Sequence, residues 1–88
     1  MVWELHLPAC QSLKDKRAIL KSLKDRMHNR FNVSVGETGH QDLWQRAELT
    51  AAVVSTDRTH AENVLREADH MVSGADVARI VDTSSSFF

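Results

Sequence analysis

Apolar and polar positions alternate from the first residues. In VWELHLP (2–8), Trp3, Leu5 and Leu7 fall on one side and Val2, Glu4 and His6 on the other, the pattern of a half-buried strand closed by Pro8. The period then changes. Leu13, Ile19, Leu20, Leu23, Met27 and Phe31 gather within about a third of a helical wheel, and Ser12 with Asp15 three residues on forms a capping box at the start. NVSV (32–35) returns to period two, and Gly36, Gly39 and the polar run to Asp42 predict a turn. AELTAAVVS (47–55) is the strongest strand pattern, with Ala47, Leu49, Ala51 and Val53 opposite Glu48, Thr50, Ala52 and Val54. A second helix opens on Asp57, or on Thr59 with Glu62. It carries Ala61, Val64, Leu65, Ala68, Met71 and Val72 on one face and stops near Gly74. DVARIVD (76–82) predicts a last short strand, followed by TSSSFF, which is expected to fray.

The order strand, helix, strand, strand, helix, strand predicts an α+β, ferredoxin-like βαββαβ fold: a four-stranded antiparallel sheet with both helices on one face. At 88 residues there is room for one core. The domain is drawn as residues 1–83, with 84–88 as a flexible tail. Composition is ordinary for a globular chain, with 42% hydrophobic and 26% charged residues, which argues against disorder. No apolar run approaches the ~20 residues of a membrane span, and no signal-peptide pattern opens the chain. A single cysteine, Cys10, excludes an internal disulfide and any CxxC motif; it is read as a packing residue in a cytoplasmic protein.

The net charge of −1 conceals a polarised molecule. Between Ser12 and Phe31 seven bases face two acids, a local net of +5, whereas the rest of the chain has four bases and ten acids, a net of −6. Such asymmetry points to an anionic partner. Lys14, Arg17, Lys21, Lys24 and His28 recur at intervals of 3, 4, 3 and 4, and so share an arc of about 80° beside the apolar stripe. A solvated face is the plain alternative. Against it stand like-charge repulsions of roughly 0.2–0.5 kcal/mol per i,i+3 or i,i+4 pair. Lys14, Lys16 and Arg17 also sit at the positive end of the helix dipole, a penalty of roughly 0.3–1 kcal/mol each. The same helix start, with Gln11 and Ser12, could hold one phosphate, which Asp15 opposes.

HQDLWQRAE (40–48) is the densest polar stretch. Continued backward, the alternation of the third strand puts Trp44 and Arg46 on the face of Glu48 and Thr50, at a rim of the open sheet near Glu4 and His6. There an indole beside a guanidinium could stack a nucleobase, or form a cation–π pair that covers the end of the sheet; the packed arrangement is the favoured reading for Trp44. His40 and Asp42 are the one acid–base pair that could suggest an enzyme, but no nucleophile or third group accompanies them. AELTAAVV lacks the aromatic pair of an RNA-recognition motif. His6, His28, His40, His60 and His70 have no zinc spacing. PACQSLKDKR has neither a glycine-rich phosphate cradle nor the arginine loop of acylphosphatases. No cofactor, metal or small-molecule substrate is expected.

Three stretches, ELHLPACQSLKDKRAILKSLKDRMHNRFNVSV, HQDLWQRAEL and AVVSTDRTHAENVL, together resemble the YlxP-like family of small bacterial proteins, a domain of unknown function. The resemblance spans residues 4 to about 72. It implies a ferredoxin-like fold and offers no catalytic residues. Genes of this family commonly lie beside those for transcription factor NusA, translation initiation factor two and ribosome-binding factor A. That neighbourhood implies a role around ribosome maturation or translation, with ribosomal RNA as the anionic partner. Family members begin their first strand several residues earlier and have a longer last strand, so this copy reads as clipped. The resulting expectation is a non-enzymatic accessory factor that binds structured RNA through Lys14, Arg17, Lys21 and Lys24, joined by Arg46 and Trp44. The rival is an interaction module that homodimerises by setting the basic helix on an acidic surface such as Glu62, Glu67 and Asp69.

Overall fold

The computed structural model describes all 88 residues. The elements are β1 (Val2–His6), α1 (Leu13–Arg30), β2 (Ser34–Gly39), β3 (Arg46–Ala52), α2 (Arg58–Ser73) and β4 (Arg79–Ser84). The strands form one antiparallel sheet in the order β2-β3-β1-β4, the ferredoxin-like arrangement. The two helices cover one face. Trp3, Leu5 and Leu7 point into that layer with Ala47, Leu49 and Ala51, and meet Leu20, Leu23 and Met27 of α1 and Ala68 and Val72 of α2. Both central strands alternate buried and half-exposed residues, as their period-two patterns require. Trp3 is fully buried, yet its indole Nε1 donates to the half-buried Asp69 Oδ1 on α2 at 2.9 Å, so the central strand is tied to a helix by a part-buried polar bond.

Both helix starts are capped by the expected residues. Ser12 Oγ accepts from the Asp15 backbone N–H at 3.1 Å, and Asp15 Oδ2 accepts in return from the Gln11 N–H at 3.1 Å. On α2, Asp57 Oδ1 accepts from the Thr59 N–H at 2.9 Å, which decides between the two caps open in the sequence. Cys10 is buried, and desolvation pushes its thiol pKa up, away from nucleophilic use.

Three boundaries differ from the sequence pattern. β2 continues to Gly39, so Gly36 lies within the strand opposite Thr50, and the turn starts only at His40. The extension is possible because Glu37 points inward to a buried cation, while Thr38 outside bonds Glu48 Oε1 at 2.7 Å and Thr50 Oγ1 at 2.6 Å. β3 ends at Ala52 rather than at residue 55, and Val54 beyond it is fully exposed. β4 runs over 79–84 instead of 76–82, because Ala75 and Ala78 bury themselves in the turn after α2. The strand therefore reaches the first residue of the segment expected as a tail. Beyond it, the Phe87 ring lies 4.8 Å beneath the Arg58 guanidinium.

Candidate nucleic-acid interface

The amphipathic spacing of α1 turns Leu20, Leu23 and Met27 to the sheet and leaves Lys14, Arg17, Lys21 and His28 exposed and Lys24 half-buried. From Lys14 to Lys24 the rise along the axis is about 15 Å. Lys14, Arg17 and Lys24 have no carboxylate partner, and Lys21 alone is paired, with Asp25 Oδ2 at 2.6 Å. That pair is exposed at both ends, a weak surface interaction in which Lys21 holds the Asp25 carboxyl below its usual pKa. The ridge is thus continuous, and it is largely unneutralised.

Lys16 belongs elsewhere. The sequence pattern counted it among the cations at the helix start, but its side chain is only 1% exposed. Its Nζ donates to the carbonyls of His40 at 2.7 Å and Arg46 at 3.3 Å and meets Glu37 Oε2 at 2.8 Å. A buried ammonium loses its hydration, so it persists only where every N–H finds an acceptor and an opposite charge is near. Here the acceptors come from both ends of the β2–β3 loop. On a wheel at 100° per residue Lys16 falls between Leu23 and Met27, in the middle of the apolar stripe. That position was the available signal.

The loop is braced from three more directions. His40 adopts a left-handed backbone, φ 58°, rare for a residue with a side chain, and its carbonyl accepts from Leu43 N–H at 3.0 Å as well as from Lys16. Its ring Nε2 meets Glu4 Oε1 at 2.8 Å. Gln45 Nε2 donates to Cys10 O at 3.2 Å, stapling the loop to the β1–α1 connection. Arg46 donates from Nη2 to Glu4 Oε2 at 2.9 Å. Arg46 is therefore committed to Glu4, and of the two side chains assigned to the rim, only Trp44 stays free. The packed arrangement favoured for Trp44 is not the one found: its residue is 54% exposed, and neither cation–π contact in the chain includes it. Nor do His40 and Asp42 form a pair. His40 turns to Glu4, and Asp42 is exposed without a partner.

Arg46 first, and His40 second, hold the Glu4 carboxyl below its usual pKa; Glu48 and Asp82 stand opposite it in the sheet register. A carboxylate with a depressed folded-state pKa stabilises the fold above its ordinary value of 4.5, and that contribution is lost as the pH falls through the folded-state value. Glu4→Gln is accordingly expected to lower the thermal midpoint most near neutral pH. Its difference from the wild type should close as the pH drops below the carboxylate range. A difference that stays constant down to acid pH would show that the charge of Glu4 has no part in bracing the loop.

A four-stranded antiparallel sheet with two helices on one side, a basic ridge on the first helix and an open, mostly polar face defines a small ferredoxin-like α+β domain. No helix is long and apolar enough to cross a membrane. The chain belongs to the DUF503 family, described as a protein of unknown function, which it matches over residues 1–85. It is similar to the uncharacterized protein YlxP of Bacillus subtilis (strain 168), with 49% identity over 55 residues. That alignment covers 62% of this chain and 60% of the Bacillus protein, less than two thirds of the relative's length.

Proposed function

We propose that the protein is a non-enzymatic accessory factor of the cytoplasm that binds structured RNA, ribosomal RNA in particular, through the outer ridge of α1. One observation carries the reading: Lys14, Arg17 and Lys24 stand on one helix face with no carboxylate at ion-pair distance, and Lys21 between them is held only by an exposed pair. An unpaired row of like charges destabilises the helix that bears it and gains its return when a polyanion releases counterions on docking. The genes that commonly neighbour relatives of this chain are those of translation and ribosome maturation, which supports the choice of RNA. Four phosphate contacts give a slope of about −3 in log affinity against log salt, at roughly 0.7–0.9 per contact. Fluorescence anisotropy with a fragment of ribosomal RNA across a salt series measures it. A response that stays flat removes the reading.

The homodimer alternative gains less support. Of the acids that would receive the basic helix, Glu62 is held by Arg58 at 2.9 Å and Glu67 by Arg30 at 3.5 Å, and Asp69 accepts from Trp3. Of these, Asp69 is held by a part-buried bond, whereas the Glu62 and Glu67 pairs are exposed and weak. A catalytic role finds no assembled group around His40, whose ring is occupied by Glu4.

A further inference from the structure

The chain has two tryptophans, placed in opposite ways. Trp3 is fully buried and hydrogen-bonded to α2, whereas Trp44 is 54% exposed at the tip of the β2–β3 loop beside the exposed Leu43. Tryptophan is highly buried on average, so one left half in water calls for a reason. The loop that carries it is braced. Both of its ends are bonded to the buried Lys16, His40 is held in a left-handed conformation and tied to Glu4, and Gln45 is stapled to the β1–α1 connection. Strained backbone persists only where its surroundings over-determine it, and such places concentrate at binding sites. The bracing side chain, Lys16, lies between Lys14 and Arg17 in sequence, so the indole and the start of the phosphate ridge belong to the same end of the molecule. Of the phenylalanines, Phe31 lies under Arg30 and Phe87 under Arg58, while Phe88 is exposed at the far end of the chain.

We infer that Trp44 is a stacking platform for an unpaired nucleobase, and that the RNA gripped by α1 is one whose duplex is interrupted by a bulge or loop. The inference rests on the RNA-binding reading above and names the class of RNA within it. A-form duplex offers its base edges poorly to side chains, whereas a splayed-out base stacks on an aromatic face whatever its identity. A pre-set indole loses little conformational freedom when the base arrives. The unpaired Asp42 two residues before Trp44 repels a phosphate from the loop tip, which suits the uncharged face of a base rather than the backbone. The open sheet face presents Glu4, His6, Glu48 and Thr50 next to one another, and the aromatic rings there are imidazoles, His6 and the Glu4-bound His40.

The test compares two RNA hairpins of equal stem length, one perfectly paired and one with a single bulged purine, bound to the wild type, Trp44→Phe and Trp44→Ala. The wild type is expected to bind the bulged hairpin about tenfold more tightly, within the range measured for one stacked base. Trp44→Ala should erase that preference while keeping the affinity for the paired hairpin and its salt slope, and Trp44→Phe should keep part of it. The exposed indole's emission should be quenched by the bulged hairpin and little by the paired one. Equal binding of both hairpins by the wild type, with the salt slope intact, overturns the stacking role and leaves phosphate binding by α1 standing. A loss of affinity in Trp44→Ala that is the same for both hairpins also overturns it. Absence of binding to either hairpin removes both readings.

Discussion

Replacing Lys16 by methionine, which keeps the length of the side chain and removes the charge, is expected to destabilise the fold by about 3 kcal/mol, the lower end for breaking a buried ion pair. The lower end applies because the Glu37 side chain keeps 20% exposure overall, although its Oε2 is buried, and because the His40 carbonyl retains the Leu43 N–H; the Arg46 carbonyl is left facing a methyl group. For a domain of this size that amounts to a fall of roughly 12–24 °C in thermal midpoint. Differential scanning fluorimetry measures it, with urea titration as an independent reading. Glu37→Leu added to Lys16→Met should recover part of the loss, since it removes the stranded carboxylate, but not all, because the Arg46 carbonyl has lost its Lys16 donor and that of His40 keeps only the Leu43 N–H. The same variant should make the loop around Gln41 the first site of proteolytic cleavage. An unchanged midpoint would mean that Lys16 is a surface cation after all, and the loop could then not be treated as rigid.

Charge reversal tests the ridge itself. The double variant Lys21→Glu, Lys24→Glu is expected to weaken RNA binding at least about thirtyfold at 0.1 M salt, and to reduce the salt slope from about −3 to about −1.5, as two of four phosphate contacts disappear. The fold should tolerate it. The Lys21 side chain is 74% exposed, and the lost pair with Asp25, together with the new like-charge contact, is worth only about 0.2–0.5 kcal/mol. The control carries the same change in net charge at exposed sites off the ridge, Arg26→Glu with Arg66→Glu. It should lose far less affinity. Equal losses in the two variants would show that the RNA responds to net charge alone and that this face of α1 has no special place in the interface.

These two experiments divide along the line between local pattern and distant contact. The ridge is visible in the chain because it depends on 3.6-residue periodicity: Lys14, Arg17, Lys21 and Lys24 share a face of any helix spanning them, whatever packs behind it. The same holds for the Ser12 and Asp57 caps, which need only neighbours within four residues, and for the alternation that turns Trp3, Leu5, Leu7, Leu49 and Ala51 inward. The βαββαβ order and the side of the sheet that meets the helices followed from those periods.

The β2–β3 loop is not legible in the local pattern because its partners are far away along the chain. Gly36, Glu37 and Thr38 look like a turn until Lys16 supplies a buried counter-charge for Glu37, and Thr50 and Glu48 supply partners for Thr38. Arg46 and His40 look available until the sheet register brings Glu4 beside both. Even Lys16, seated in the apolar stripe, could be recognised as buried only once the loop carbonyls were in place around it. By itself, then, the sequence determined the elements, the layering and the basic ridge, since each arises from residues within a few turns or strand steps of one another. The tertiary structure alone decided which charges are consumed inside the fold and which aromatic is left outside, because an ammonium or a carboxylate can be buried only where groups from other elements replace its water.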